Sequence, residues 1–374
     1  MFDFIVVGAG MAGVSVADAL AAHASSVALI EAEDQPGYHS TGRSAALFAP
    51  NYGSSLFTAL ARASEPFLRS PPAGFAPQPL LRPRGAMYLA RSDQLDRLEA
   101  TAGELRSAGS EVEFLSLEAA RARVPLLRPA YVAAALYEAN VQDIDVEALL
   151  RGFLKRGRAH GVRLLTGARL TSLERRRGAW HLEIQGETVS APVLVNAAGA
   201  WADEVGAACG AAPLGLRPLR RTAALIDAPA DIPVSGWPAV MDLDEQFYLK
   251  PDAGKLLVSP ADEEPMAPCD AYADELTVAV GIDRMQSALD IDVRRVTHSW
   301  AGLRTFAPDR DPVIGFDHKV KGLLWCAGQG GYGIQTAPAC ALLAAALAHG
   351  EDAPAALAER GVTAAAVSPA RFGR

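Results

Sequence analysis

Three glycines near the amino terminus, Gly8, Gly10 and Gly13, follow an apolar run and open a helix-like segment. Gly8 permits a tight turn, Gly10 lets a pyrophosphate approach the backbone, and Gly13 allows close packing of helix on strand. A second apolar run, residues 27–30, ends at Glu31, whose carboxylate can accept a hydrogen bond from a ribose hydroxyl. The helix would direct its N–H groups at the phosphates. This pattern predicts a bound adenine dinucleotide; the alternative is a glycine-rich turn without a ligand.

A second glycine-rich turn covers residues 328–333 and leads into an Ala- and Leu-rich segment, residues 337–348. The amino terminus of that helix would supply further backbone donors and positive potential. A flavin needs such a site because its reduced ring carries negative charge, whereas a nicotinamide cofactor does not. The two turns together therefore favour a flavin dinucleotide. Small residues at 197–201 follow a buried strand-like run and allow another close approach, although a simple strand-to-helix turn would look the same.

The elements that must position these residues follow from hydrophobic periodicity. A strand–helix–strand unit is predicted over residues 3–31, followed by a polar loop to residue 46. Helices are predicted over residues 54–69, 93–109, 117–124, 145–161, 280–289 and 337–348. Strands are predicted as a meander over residues 162–195 and as runs over residues 222–226, 247–250, 255–259, 293–300 and 323–326. Prolines in residues 71–85 indicate an irregular crossing between domains.

Length and composition set the class of protein. A chain of 374 residues is too long for one ordinary domain, so two intertwined domains are expected. The net charge of −8 argues against a nucleic-acid partner, and the basic residues 175–177 are predicted to form an exposed hairpin turn. We expect no signal peptide and no transmembrane segment. The expected location is cytoplasmic, with peripheral docking at a membrane left open.

The cysteines and histidines give no sign of a metal site or a disulfide framework. The four cysteines, Cys209, Cys269, Cys326 and Cys340, lack CxxC spacing, which predicts reduced and partly buried thiols. Cys326 lies in a strand-like run and is predicted to belong to the core. The seven histidines show no HxxxH or HExxH arrangement, so no bound metal is expected.

The chain resembles the D-amino acid oxidase family of FAD-dependent oxidoreductases and, within it, the bacterial D-arginine dehydrogenases. The resemblance runs nearly end to end and rests on residues 8–13, 37–46, 196–201, 247–252, 298–306 and 329–336. It implies an α/β (two-domain α+β) fold with a Rossmann-like FAD-binding domain of the glutathione-reductase type and an antiparallel-sheet substrate domain. The implied FAD-binding domain comprises residues 1–78, 141–215 and 305–374, and the substrate domain comprises residues 79–140 and 216–304.

The resemblance also implies FAD as the cofactor and assigns its contacts. Some relatives hold FAD covalently through a cysteine, but residues 298–311 contain none, so non-covalent FAD is expected. Contacts to the ADP half would come from Gly8, Gly10, Met11, Ala12, Gly13, Glu31 and Leu170. The remaining cofactor contacts would be Ser40, Thr41, Gly42, Arg43, Ser44, Ala45, Ala46, Ala198, Gly199, Trp201, Gly302, Arg304, Gly330, Gly331, Tyr332, Gly333, Ile334, Gln335 and Thr336.

By the same resemblance, Arg221 and Arg304 would hold a substrate carboxylate while Tyr52 and Tyr248 close over it. The residue types support this assignment, because an arginine fork pairs bidentately with a carboxylate and fixes its orientation. The alternatives are ordinary surface ion pairs for the arginines and core aromatics with satisfied hydroxyls for the tyrosines.

The departures from D-arginine dehydrogenase concern the substrate side chain. That enzyme has a glutamate where this chain has Ala86, and a histidine and a threonine where this chain has Leu47 and Ala49. A desolvated substrate cation would lose its partner, so a small or apolar side chain is expected instead. Gln335 is a further predicted pocket residue. The alternative is that Asp244 or Glu245 reaches the pocket and replaces the missing acid.

The implied reaction is the oxidation of a D-amino acid by hydride transfer to flavin N5, giving an imino acid that hydrolyses to a 2-oxo acid and ammonia. The same arginines would also bind a 2-hydroxy acid or a secondary or cyclic amino acid. A third possibility is an FAD-binding protein with little turnover. The sequence leaves the electron acceptor open among a quinone, an electron carrier and oxygen.

Overall fold

The computed structural model of the chain describes residues 1–170 and 172–373. Its strands in chain order are β1 (Phe4–Val7), β2 (Val27–Ile30), β3 (Leu47–Phe48), β4 (Leu81–Pro83), β5 (Ala86–Ala90), β6 (Val112–Ser116), β7 (Ala134–Glu138), β8 (Gln142–Ile144), β9 (Arg163–Leu165), β10 (Ser172–Arg176), β11 (Ala179–Ile184), β12 (Glu187–Ala191), β13 (Val193–Asn196), β14 (Arg217–Asp227), β15 (Ala239–Asp242), β16 (Tyr248–Asp252), β17 (Lys255–Ser259), β18 (Glu264–Pro265), β19 (Val296–Phe306), β20 (Val313–Phe316) and β21 (Leu323–Ala327). Its helices are α1 (Met11–Ala22), α2 (Ser55–Arg69), α3 (Leu95–Ser107), α4 (Leu117–Arg123), α5 (Val146–Ala159), α6 (Ala202–Ala208), α7 (Glu275–Ala288), α8 (Ala337–Ala348), α9 (Ala355–Ala358) and α10 (Ala364–Val367).

A six-stranded sheet carries the amino-terminal nucleotide-binding unit. Its order is β20-β21-β13-β1-β2-β9, and neighbours run parallel except for β20 and β21. Both faces are covered: α1, α5 and α8 pack on one side, and the meander β10-β11-β12 packs on the other. Such burial explains why β1 and β2 are continuous apolar runs. The predicted strand–helix–strand unit is confirmed.

A larger sheet forms the second part of the fold, in the order β18-β14-β17-β16-β15-β5-β7-β6, with β19 also paired to β14. Its neighbours are antiparallel except for β15 and β5. The long strands β14 and β19 pair along almost their whole length. A Rossmann-like sheet joined to a mainly antiparallel sheet confirms the predicted fold class, while the domain limits stay a prediction.

Several predicted elements differ in detail from the structure. Helix α7 begins at Glu275 rather than at residue 280, because Asp274 caps it by accepting a 2.9 Å hydrogen bond from the Thr277 amide. Its first turn exposes Leu276, so hydrophobic periodicity could not detect that start. Strand β4 lies inside the proline-rich segment that was predicted to be irregular, and it pairs with β8. The predicted meander over residues 162–195 includes residue 171, which lies outside the described residues.

The hairpin turn and the cysteines can be compared directly with their predictions. The predicted hairpin is present, but its turn consists of Arg177 and Gly178, both with positive φ, while Arg175 and Arg176 belong to β10. All four cysteines are free, and Cys326 is 1% exposed within β21. In the described part of the chain, no helix has the length and apolarity needed to cross a membrane. The same residues contain no group of His, Cys, Asp and Glu side chains suited to hold a metal ion.

Two helical glycines allow a matched test of packing. In α5, a Cβ added at Gly152 would lie 2.2 Å from the Phe75 ring, which is buried between Phe67 and Phe153. We therefore expect Gly152→Ala to lower the free energy of unfolding by about 1–3 kcal/mol. In α3, a Cβ at Gly103 would meet nothing within 4 Å. Gly103→Ala should therefore raise the free energy of unfolding by about 0.5–1 kcal/mol.

Thermal and urea unfolding of both variants would measure this difference. Equal effects of the two substitutions, or a stabilised Gly152→Ala variant, would contradict the packing described for α5.

Candidate active site

The turn after β1 has the close packing that its glycines predict. Gly8 has φ +97°, and a Cβ there would lie 2.5 Å from the Ala197 carbonyl oxygen. A Cβ at Gly13 would lie 1.8 Å from the Gly8 carbonyl oxygen. The parallel strands β1 and β13 end side by side, with Val7 opposite Asn196, which explains the contact. Only glycine at these two positions lets the strand ends and α1 come together.

The predicted ribose acceptor, Glu31, is 9% exposed and is fixed by backbone donors. Its carboxylate accepts hydrogen bonds from the amides of Ala9 at 2.8 Å and Glu33 at 3.0 Å. At the start of α1, the Met11 amide donates to the Thr41 hydroxyl at 3.0 Å. The other amides of this first turn have no partner within the helix and remain available to a ligand.

The loop over residues 37–46 is fastened to β19. The Ser40 hydroxyl donates to the Leu303 carbonyl at 2.6 Å, and the Trp300 indole N–H donates to the Arg43 carbonyl at 2.9 Å. The Arg43 guanidinium donates to the Ala301 carbonyl at 3.0 Å and forms an ion pair with Asp270. Arg43 therefore acts mainly as a clamp on the loop.

The second glycine-rich turn supplies unpaired backbone donors. The Gly330 amide donates to the Thr305 carbonyl of β19 at 2.9 Å. Among residues 1–170 and 172–373, no acceptor is found for the amides of Gly331, Gly333 and Ile334. All three residues line the same cavity as the first turn. Such donors suit the negatively charged edge of a reduced flavin.

A single cavity of about 610 Å³ runs between the two turns. The predicted residues that line it are Gly8, Gly10, Met11, Ala12, Glu31, Ser40, Thr41, Arg43, Ser44, Ala45, Leu170, Ala198, Gly199, Trp201, Arg221, Tyr248, Gly302, Arg304, Gly330, Gly331, Gly333 and Ile334. The predicted residues outside its wall are Gly13, Gly42, Ala46, Leu47, Ala49, Tyr52, Ala86, Tyr332, Gln335 and Thr336. An extended cavity with helix amino termini at two places fits an FAD molecule.

Strand register brings the two predicted anchoring arginines together. In the β14–β19 pair, Arg221 lies opposite Gly302, and Leu219 lies opposite Arg304. The arginines are therefore diagonal neighbours on one face of the sheet. Tyr248, in β16, lines the same cavity. The Arg304 guanidinium also lies against the second glycine-rich turn, residues 328–333, since a Cβ at Gly331 would be 2.9 Å from its Nη1 atom.

The electrostatics of this group favour an anion. Burial lowers the pKa of Arg304, and the nearby Arg221 charge lowers it further. No hydrogen bond or ion pair to the Arg304 guanidinium is found in the described chain, whereas Arg221 donates to the Asp262 carbonyl at 2.9 Å and lies 3.3 Å from Glu263. Burial acts to raise the pKa of Tyr248, but Arg304 and Arg221 outweigh it, so that pKa is lowered. A carboxylate would neutralise this excess of positive charge.

The remaining predicted pocket residues lie beside the cavity. Tyr52 is 38% exposed, and its hydroxyl donates to Glu245 at 3.3 Å. Burial of that hydroxyl and the Glu245 charge raise the pKa of Tyr52. Gln335 accepts a 2.9 Å hydrogen bond from the Ala49 amide, which fixes the loop leading to Tyr52. Ala86 is fully buried in β5.

The structure also identifies residues that the sequence analysis missed. Asp262 and Glu263, which hold Arg221, lie on the segment between β17 and β18. Met241 pairs with Tyr248 across β15 and β16, and it pairs with Tyr88 across β15 and β5. Strand alternation could have suggested which face these residues share, but only the pairing register shows that they are neighbours.

Comparison with known proteins identifies the class. The family described as FAD dependent oxidoreductase matches residues 3–347. The chain belongs to this family, which is the D-amino acid oxidase family that the motifs had indicated, and its cofactor is accordingly FAD.

Characterised relatives share less than a third of their aligned residues with this chain, and they are longer than it. The chain is 29% identical over 349 residues to a bifunctional protein of tRNA 5-methylaminomethyl-2-thiouridine biosynthesis from Burkholderia lata, covering 83% of this chain and 46% of that protein. It is 25% identical over 276 residues to a hydrogen cyanide synthase subunit from Pseudomonas aeruginosa, covering 72% of this chain and 64% of that subunit. The chain therefore matches about half to two thirds of the length of these relatives.

Solved structures share the fold along almost the whole chain. Glycine oxidase from Geobacillus kaustophilus superposes with a TM-score of 0.82 at 23% identity, covering 94% of this chain and 95% of that one. L-proline dehydrogenase from P. horikoshii superposes with a TM-score of 0.82 at 20% identity, covering 100% and 98%. The chain therefore shares the fold of these two enzymes.

The lowered pKa of Tyr248 generates a test of the anchoring group. The hydroxyl is neutral below its pKa and anionic above it, so raising the pH past that value places a negative charge beside a bound carboxylate. We expect the Kd of the FAD-loaded protein for propionate to rise by roughly tenfold, or about 1.4 kcal/mol, across this ionisation. Absorbance titration of the flavin between pH 7 and pH 11 would measure it.

Tyr248→Phe serves as the comparison, because it removes the ionising group and keeps the ring. The affinity of this variant for propionate should fall only at a higher pH than the affinity of the unmodified protein does. Identical pH profiles for the two proteins would show that Tyr248 does not ionise beside the carboxylate.

Proposed function

We propose that the protein oxidises D-amino acids to imino acids, which hydrolyse to 2-oxo acids and ammonia. The observation that carries this proposal is the Arg304 guanidinium, which lines the cofactor cavity beside Arg221 and has no counterion in the described chain. An uncompensated buried cation is costly, so it indicates a binding site for an anion. The family supplies the reaction class, and the resemblance to D-arginine dehydrogenases supports the D configuration.

The chain's own residues would act by binding and orientation. Arg304 and Arg221 would hold the substrate carboxylate, and the Tyr248 hydroxyl would donate to it. FAD, when bound, would supply the oxidising chemistry that removes a hydride from the substrate α-carbon. Fixing the carboxylate beside the glycine-rich turn would position that C–H bond for transfer, and such positioning is a major source of rate enhancement. We assign no general base, because water can take the proton of the substrate ammonium.

The cofactor would be held without a covalent bond. No cysteine is found among the described residues that line the cavity. Backbone and side-chain groups from the two helix amino termini, Glu31 and the loop over residues 37–46 would hold it instead. Acid precipitation should therefore release the flavin into the supernatant.

For the substrate side chain we propose a small or apolar group. Ala86 and Leu47 offer no charge. Asp244 is occupied, since it forms ion pairs with Arg91 at 2.8 Å and with Arg97. Glu245 accepts the hydrogen bond of Tyr52 at the mouth of the site. The uncharged Ala86 and Leu47, together with the ion-paired Asp244, support discrimination against D-arginine.

The direct test is anaerobic reduction of the bound flavin by a panel of amino acids. We expect bleaching of the 450 nm region flavin band by apolar D-amino acids, and much weaker bleaching by D-arginine and by L-isomers. Preferential bleaching by proline or sarcosine would replace the proposal with oxidation of secondary amines. Bleaching only by 2-hydroxy acids would change the donor class, and bleaching by no compound would indicate an FAD-binding protein with little turnover.

A substitution tests the role of Arg304 separately. Arg304→Gln removes the charge-assisted pair with the carboxylate, so Kd for propionate should rise by roughly 100-fold, or about 2.7 kcal/mol. Arg304→Lys keeps the charge but loses the fork, and its loss should be smaller. Arg294→Gln is a matched control, because Arg294 is 88% exposed and, among the described residues, forms an ion pair with Asp292 alone. If Arg304→Gln bound propionate as well as this control, the anchoring role would be wrong.

A further inference from the structure

The face of the large sheet that carries the arginines continues beyond the cavity. Ser259 lies opposite Tyr248, Tyr248 opposite Met241, and Met241 opposite Tyr88. Directly opposed residues in neighbouring strands present their side chains on the same face. A substrate held by its carboxylate near Tyr248 can therefore extend its side chain across Met241 toward Tyr88.

Tyr88 is held firmly at the end of this path. Its hydroxyl donates to the Glu138 carboxylate at 3.1 Å. Burial and the Glu138 charge raise the pKa of Tyr88 well above its usual value, and Tyr52 and Glu245 add to the shift. The Tyr88 hydroxyl therefore stays protonated as a donor, and it lies close enough to Tyr52 and Glu245 for their charges to act on it.

The carboxylate that fixes Tyr88 is itself committed. Glu138 is 1% exposed and accepts a second hydrogen bond, of 2.5 Å, from the Ser110 hydroxyl. Ser110 in turn binds Asn51, next to Tyr52 in the loop. Within the described chain Glu138 forms no ion pair with an arginine or lysine, so its two neutral donors stabilise its charge.

Glu138 also occupies the neighbourhood of the missing glutamate. It lies directly opposite Ala86 across β5 and β7, so both side chains share one face. Ala86 is two residues before Tyr88 in the same strand, which places all three on that face. An acid is thus present beside Ala86, but its oxygens are turned to Tyr88 and Ser110.

We propose that Tyr88, fixed by Glu138, ends the side-chain compartment and limits the length of substrate that the enzyme accepts. This inference rests on the proposed function, in that it takes the carboxylate to be held by Arg304 and Arg221. A side chain that reaches the Tyr88 ring must displace it and break its hydrogen bond to a buried carboxylate, which is costly because Glu138 would lose one of its two donors. Tyr88 is therefore a residue that determines specificity.

The experiment uses binding of linear carboxylates, from propionate to octanoate, to the FAD-loaded protein. Each buried methylene should tighten Kd by about fourfold until the chain meets Tyr88, after which the affinity should stop rising. In Tyr88→Ala the increase should continue for at least two more methylenes, a gain of roughly 16-fold for the longest acids. Tyr88→Leu is a second truncation in case the alanine variant folds poorly, and Tyr88→Phe is the control that keeps the ring.

The outcomes separate cleanly. A break at the same chain length in the unmodified protein and in both truncated variants would overturn the proposal. So would tighter binding of 6-aminohexanoate than of hexanoate that Glu138→Gln abolishes, because Glu138 would then serve as an acceptor for substrate cations. Because these titrations need no turnover, failure of every amino acid to bleach the flavin would overturn the proposed reaction and leave the length limit standing.

Discussion

The site depends on two guanidinium groups placed side by side on a buried sheet face. Arg221 and Arg304 are diagonal neighbours in the β14–β19 pair, and the charge of one lowers the pKa of the other. Burial of two like charges is unfavourable, and only Arg221 has acceptors in the described structure, the Asp262 carbonyl and Glu263. The long pairing of the two strands supplies the rigidity that holds this arrangement. Binding of an anion would offset the repulsion between the two guanidinium groups. That repulsion therefore favours binding of a carboxylate.

One strand connects that anchor to the cofactor cavity. In β19, Leu303 accepts from Ser40 and Thr305 accepts from the Gly330 amide, while Arg304 lies between them. Strand β19 thus holds the second glycine-rich turn, the loop over residues 37–46 and the proposed carboxylate anchor close together. Because consecutive residues of one extended strand make these contacts, the strand fixes the spacing between the proposed anchor and the cofactor cavity.

How much of this could be read from the sequence depended on the range of the interactions. The roles of Gly8 and Gly13 are local steric facts, since a Cβ at either would overlap a backbone oxygen, and they were predicted. The proximity of Arg221 to Arg304 was proposed only through family resemblance, because 82 residues separate them and their register is a tertiary property. The neighbours of Tyr248 on the sheet face could not be predicted at all, since alternation within a strand does not reveal which strand lies beside it.

Ala86 shows why a missing residue is an incomplete guide to specificity. The sequence shows only that a carboxylate is absent there. The register adds that Glu138 lies directly across and that its oxygens are bound by Ser110 and Tyr88. The small side chain of Ala86, taken alone, would predict an enlarged pocket. In our proposal the Tyr88 ring, on the same sheet face, limits that pocket. An acid, Glu138, and a proposed barrier, the Tyr88 ring, are therefore both present. The hydrogen bond between them determines whether Glu138 is available to a substrate cation. Under our proposal, the hydrogen bond between Tyr88 and Glu138 keeps the pocket short, and a long cationic substrate would have to break it.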